Sequence, residues 1–258
     1  MTTADIASVV NSPSKTQSIE EISLVIAAQD LIPTVINQDF LKFSGIIPQD
    51  WEIAKPPVVN PNFAQLNFIN GVGITAQPRT ISLSESLNNK QWQDITIDQV
   101  AEKYLEKLPH AEYMGLSFSP KILIPFPDAP QAVRQYITES LLGSGAWKYI
   151  GKAPLQAGIN LMYHLERCQM TISISEAKLQ KPQETAIAAV LFSGNFNYNV
   201  NLNQAQSSKI TQMTNFLNYW RTDLEEFREI VNQKFLDSTE ADETQFVGAM
   251  SLFPGQML

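Results

Sequence analysis

The chain carries 18 basic and 26 acidic side chains over 258 residues, a formal charge of −8. That length suits one large domain or two small ones, with a core that needs neither disulfides nor a structural metal. A single cysteine, Cys168, excludes an internal disulfide, and with only His110 and His164 beside it no Cys/His zinc site can be assembled; acidity without clustered Lys and Arg disfavours nucleic acid and anionic membrane surfaces.

Residues 1–18 are rich in Ser, Thr and Asn around Pro13 and read as a flexible leader. They have neither the basic start nor the apolar stretch of a secretory signal. Alternation of Ile22, Leu24, Ile26 and Ala28 predicts a half-buried strand ending before Pro33. The stretch 40–59 holds Gly45, Pro48, Pro56 and Pro57, which forbid a long helix, so an ordered loop pinned by Trp51 is expected there, with room for one helical turn. Ala64, Leu66 and Phe68 alternate, Asn70-Gly71-Val72-Gly73 supplies a turn, and Ile81 and Leu83 alternate again, as in a hairpin or meander.

Thr96-Ile97-Asp98-Gln99 fits a capping box opening a helix with Ile97, Val100, Ala101, Tyr104, Leu105 and Leu108 on one face; Pro109 stops it. Met114 to Ile124 alternates as a strand. A second helix follows Pro127–Pro130, carries Ala132, Val133, Tyr136, Ile137 and Leu141 on one face, and ends at Gly143-Ser144-Gly145. Strand patterns recur at Ile159–Leu165, Met170–Ile174 and Ile187–Phe192, and again at Phe196, Tyr198, Val200 and Leu202. Residues 207–236 read as one long helix with Ile210, Leu217, Leu224 and Val231 every seven residues, and Met213, Trp220 and Phe227 likewise. Such a face must pack on something: its own sheet, or the same helix of a second copy in a homodimer.

Strands adjacent in sequence favour antiparallel pairing, so the fold class is α+β. The pattern gives a single domain over 19–236 with a largely antiparallel sheet in two strand-then-helix halves and a long C-terminal helix. The order of elements, with Tyr113-Met114-Gly115-Leu116-Ser117-Phe118 as the strand after the first helix, resembles a sporadically distributed family of bacterial proteins of about this length. That family combines an N-terminal strand, a helix followed by a Gly-Leu-rich strand, and a long C-terminal helix. The likeness would cover about residues 20–236, and it implies no activity.

No motif supplies chemistry outright. Gly71-Val72-Gly73-Ile74-Thr75-Ala76 matches the letters of a dinucleotide fingerprint, but a strand follows where a helix N-terminus is needed to receive the pyrophosphate. The glycines therefore serve a turn or bulge. No Walker A lysine and no G-x-S-x-G elbow occurs. Residues 162–168 read as an alternating strand, and period two places His164, Glu166 and Cys168 on one face, the one grouping that resembles a nucleophilic or acid–base site. His164 and Cys168 would then lie ~13 Å apart, too far for a direct hydrogen bond, and a buried inert thiol is the simpler alternative.

Two features point to partners. Asn195, Asn197, Asn199, Asn201 and Asn203 alternate with apolar residues and put five amides on one strand face, able to bond a sugar or a peptide edge. On an edge strand they would lack the charges that discourage pairing, and so favour a covering partner. Residues 237–258 join an acidic spacer to an apolar run with Phe246, Val247, Met250, Leu252 and Phe253, suited to a partner's groove or sheet edge.

Only 17% of residues are charged, and 17 Asn and 21 Gln make much of the surface neutral. The longest apolar run, Ala186–Phe192, falls far short of the ~20 residues a bilayer needs. We therefore expect a cytoplasmic binding or accessory subunit, with no membrane, metal or cofactor. The alternatives are a small-molecule enzyme using His164 and Glu166, and a nucleic-acid accessory protein with a basic patch at Lys148, Lys152 and Arg167.

Overall fold

The computed structural model describes residues 18–88, 90–127, 129–143, 145–180, 185–203 and 205–237. In chain order these form β1 (Ile19–Ala28), α1 (Gln38–Phe43), β2 (Ile53–Asn60), β3 (Phe63–Phe68), β4 (Val72–Gln77), β5 (Thr80–Ser86), α2 (Ile97–Lys107) and β6 (Tyr113–Pro125). Then come α3 (Pro130–Gln135), β7 (Gly158–His164), β8 (Gln169–Leu179), β9 (Ile187–Asn199), α4 (Gln206–Leu217) and α5 (Trp220–Glu229). The nine strands make one antiparallel sheet in the order β2-β3-β4-β5-β1-β6-β9-β8-β7. From the central pair outward, each half repeats one plan. A first strand (β1 or β6) is followed by a helix, then a meander that returns its last strand (β5 or β9) to the first strand's side, then helices. The expected α+β class in two strand-then-helix halves is the fold observed.

Period two assigns the faces. Ile22, Leu24 and Ile26 on β1 register with Glu85, Leu83 and Ile81 on one side and with Pro120, Phe118 and Leu116 on the other. Phe118 and Ile122 register in turn with Phe196 and Phe192 of β9, and these with Met170 and Ile174 of β8. All of these apolar side chains lie on one face and are buried. The helices pack there: Ile97, Val100, Ala101, Tyr104 and Leu105 of α2 are buried, as are Met213, Leu217, Trp220, Leu224, Phe227 and Val231 of the C-terminal segment. The heptad face of residues 207–236 is thus spent on the chain's own core, with a gross gain of roughly 10–20 kcal/mol at ~1.5–3 per side chain.

Local chemistry modifies several elements. The C-terminal helix has a joint, where the N–H groups of Asn218 and Tyr219 bond Asn215 and Phe216 in i→i−3 turns before α5 begins. Its last turns, Ile230–Leu236, are π-helical. The capping box at Thr96 does not form. Instead the fully buried Glu85 of β5 accepts from the N–H groups of Thr96 (2.9 Å) and Ile97 (2.8 Å), capping α2 from the sheet. The stretch 40–59 is more than a loop, since it finishes α1 and holds all of β2 but its last residue. Its Pro56 and Pro57 are tolerated because β2 is an edge strand with no outer ladder to supply.

Gly194 does not divide two strands either. A Cβ there would stand 2.9 Å from Phe227 Cδ2, so the glycine lets one 13-residue strand pass beneath α5. Gly71 has φ +85° in the turn before β4, as expected, whereas Val72 and Gly73 already belong to that strand rather than to the turn. Among the described residues, no helix is long and apolar enough to cross a membrane.

Candidate functional site

With the helices all on one side, the other face of the sheet is left open among the described residues. Its side chains can be followed strand by strand. One row runs Gln65, Thr75, Ser82, Val25, Ser117, Asn197, Gln169, His164. The next holds Asn67, Gly73, Ser84, Ser23 and Ser119, then Asn195, whose amide donates to Ser119 Oγ at 3.3 Å, and Thr171. From β3 to β8, seven strands spanning ~29 Å at ~4.8 Å each, this face carries a single pair of fixed charges. Those are Glu21 and Lys121, bonded to each other at 2.9 Å. Elsewhere it is mostly hydroxyls and amides, with an apolar row of Ile19, Leu123 and Leu191 beside that pair.

The amide row falls partly on this face. Asn195, Asn197 and Asn199 alternate along β9, which lies inside the sheet between β6 and β8 rather than at an edge. Asn201 and Asn203 lie beyond the strand. There the Asn201 N–H donates to Gln212 Oε1 at 3.2 Å and the Asn201 side chain accepts from the Asn203 N–H at 3.1 Å, a turn leading into α4. Phe246, Val247, Met250, Leu252 and Phe253 lie outside the described residues.

The strand carrying His164 ends at that residue. Leu165–Cys168 is the connection to β8, closed by the Leu165 N–H donating to Cys168 O at 2.9 Å, so the alternation that would align His164, Glu166 and Cys168 stops there. His164 and Glu166 are exposed, while Cys168 is half-buried.

What the connection does organise is Arg167. Its Nε and Nη2 donate to Asp223 Oδ1 at 2.9 and 2.7 Å, and Nη2 also donates to Glu226. Asp223 is fully buried and accepts from the Tyr198 hydroxyl at 2.7 Å. Tyr198 in turn stacks with Phe216, centroids 5.0 Å apart, and with Tyr219, 6.0 Å apart.

The shifts of Cys168, Tyr198 and Arg167 move those groups away from work near neutral pH, while that of Asp223 brings a carboxyl nearer to it. Burial raises the Cys168 thiol, partly opposed by the Tyr198 hydroxyl. Burial also raises the Tyr198 phenol, helped by its bond to Asp223. Burial lifts the Asp223 carboxyl against the pull of Tyr198 and Arg167. It works against the Arg167 cation too, but the bonds to Glu226 and Asp223 overcome it and hold the guanidinium above its ordinary value. The cluster therefore clamps α5 to the β7–β8 turn. It also withdraws Arg167 from any basic patch with Lys148 and Lys152, since two carboxylates already neutralise it.

A cleft of ≈ 380 Å³ lies on the helical side, between the Gly45–Trp51 loop and α2, floored by Ile46, Ile47 and Val100 with Lys42 and Lys103 at its rim. Three or more His, Cys, Asp or Glu side chains able to share a metal are not found among the described residues.

No protein-family model and no curated protein matches the chain in sequence. Sequence reasoning missed the open face as a unit, although one signal was present: Ser82, Ser84, Ser86, Ser117, Ser119 and Ser173 each fill the polar position of an alternating strand. The cleft had no comparable signal, because its walls come from segments about fifty residues apart.

Proposed function

We propose that this is a non-catalytic binding or assembly protein, an accessory subunit of a cytoplasmic complex, and that the open face of the sheet is its recognition surface. The observation that carries the proposal is the near absence of fixed charge across seven adjacent strands in a chain of net charge −8. Covering a charge costs several kcal/mol unless it is paired, whereas hydroxyls and amides desolvate at modest cost when a partner supplies hydrogen bonds. Small side chains such as Ser82, Ser84, Ser117 and Ser119 also let a partner come close to the sheet. The raised Cys168 thiol and Tyr198 phenol, both protonated at neutral pH, favour binding over acid–base chemistry.

The test is native recovery of the full-length chain with its co-eluting protein, comparing Ser117→Arg/Asn197→Arg with the exposed control Thr222→Arg on α5. At least a tenfold loss of a stoichiometric partner in the face variant alone is expected; equal recovery overturns the proposal. The apolar segment 246–253 contributes a second contact, so deleting residues 238–258 weakens partner recovery while the thermal midpoint stays nearly unchanged.

The cleft supports a second reading, a site for a small ligand with an apolar body and an anionic group set between Lys42 and Lys103. A fatty-acid or aryl-carboxylate panel that raises the thermal midpoint in wild type but not in Lys42→Ala/Lys103→Ala would favour it.

A further inference from the structure

The two edges of the sheet differ sharply. β2 is protected: Pro56 and Pro57 have no N–H to offer, and its register against β3 shifts twice, between Ile53 and Lys55 and between Lys55 and Val58. β7, at the other edge, is Gly158-Ile159-Asn160-Leu161-Met162-Tyr163-His164, with no proline and no fixed charge. Its Met162 is 62% exposed and its Tyr163 40%. It pairs with β8 in unbroken register from Gly158↔Ser175 to His164↔Gln169.

The bond from the Leu165 N–H to Cys168 O sets the parity of that ladder. The odd-numbered residues of β7 exchange bonds with β8. The N–H and C=O groups of Gly158, Asn160, Met162 and His164 point to the free edge, and none of the described residues bonds to them.

We propose that the protein is a two-fold dimer in which β7 pairs antiparallel with β7 of a second copy, centred on Leu161. The strand is self-complementary in that register. Asn160 and Met162 exchange backbone bonds with Met162 and Asn160 of the other copy, and Gly158 pairs with His164. On the helix-covered side Ile159 meets Tyr163 and Leu161 meets Leu161, so apolar faces apolar and no like charges oppose each other. The blocked β2 edge decides the symmetry. A β7-to-β2 contact would run head to tail into an open polymer, whereas β7 to β7 is isologous and closes at two. The dimer joins two nine-stranded sheets edge to edge and doubles the open face without covering it, so the pairing holds whether or not that face is the recognition surface.

Sedimentation of the full chain over a wide concentration range should give twice 28.9 kDa, dissociating only on dilution. Met162→Pro removes an outward N–H and none of the bonds to β8, so it should yield a monomer with a nearly unchanged thermal midpoint. Leu161→Cys in a Cys168→Ser background should form an intermolecular disulfide, because the central pair is a non-hydrogen-bonded one with Cα atoms ~4.5 Å apart. This cross-link decides the matter should Met162→Pro fail to fold. A wild-type chain that stays monomeric at every concentration, a dimer that survives Met162→Pro, or Leu161→Cys that does not cross-link would overturn the proposal, and the first of these would leave the edge to an extended peptide from another protein.

Discussion

Glu85 in the first half of the molecule and Asp223 in the second are both 0% exposed, and each fastens a helix to the sheet, but their hydrogen bonds come from different kinds of donor. Glu85 reaches from β5 to the backbone at the start of α2, with Lys90 Nζ adding a bond at 2.5 Å. Asp223 reaches from α5 to the Arg167 and Tyr198 side chains. Backbone N–H groups at a buried helix terminus cannot turn to water when their acceptor is lost. An arginine whose side chain is 23% exposed can, and it keeps Glu226 as well. The first half is thus locked by its backbone and the second by side chains with somewhere else to go.

Removing the acceptors separates the two cases. Glu85→Ala orphans the N–H groups of Thr96 and Ile97 and leaves Lys90 unpaired, so a loss of about 3–5 kcal/mol in denaturant unfolding is expected. Asp223→Ala orphans the Tyr198 hydroxyl but lets Arg167 relax, for about 2–3 kcal/mol. Asp223→Asn keeps an oxygen for Arg167 and costs less again. An Asp223→Ala loss equal to or larger than that of Glu85→Ala would break the comparison, since it would mean Arg167 is held as rigidly as a helix N-terminus.

Two glycines extend the contrast to packing. A Cβ on Gly194 would meet Phe227 at 2.9 Å and Pro120 Cγ at 3.0 Å, a ring and a proline that are both buried. A Cβ on Gly73 would meet Ser84 Oγ at 2.7 Å, the tip of a short side chain on the open face that can rotate away. Gly194→Ala should therefore cost about 1–3 kcal/mol, the range for overpacking a filled core, and Phe227→Leu in the same chain should recover part of it. Gly73→Ala should fall within about 0.5 kcal/mol of wild type, as surface changes do.

These residues also show where sequence and structure part company. Local periodicity made β1, β3, β5, β6 and β8 legible, along with the apolar faces of α2 and the C-terminal helix, because burial on one side imposes period two or 3.6 directly. β2 was hidden by Pro56 and Pro57, whose meaning depends on the strand's place at an edge, and that is a fact about neighbours. Gly194 read as a break when it is a clearance for Phe227, 33 positions away in the chain. Thr96 and Gln99 matched a local cap, but a carboxylate from the adjacent strand had the better geometry. His164, Glu166 and Cys168 looked like one face only while the strand was taken to run through Leu165. The residue between them, Arg167, carries the tertiary contact, to Asp223 at a separation of 56. Nothing local announces such a pair.

Cys168 offers the finest probe of the side-chain lock, since it sits beside Arg167 and senses the cluster's charges. Burial holds its thiol above the ordinary 9.0, and the negative charge of Asp223 adds to the rise while Tyr198 and Arg167 oppose it. Alkylation needs the thiolate, so the pH profile of labelling in the folded chain should have its midpoint above 9.0, and labelling at neutral pH should be slower than for the unfolded chain. The unfolded chain releases this proton first, so the thiol's contribution to stability falls as pH climbs past 9.0 towards the native value. Asp223→Asn takes away one of the charges that raises the thiol and should move the labelling midpoint down. A midpoint at or below 9.0 in wild type, or one that Asp223→Asn leaves in place, would mean that the cluster is solvated and that the second half is held by packing on Phe227 and Trp220 rather than by its buried charges.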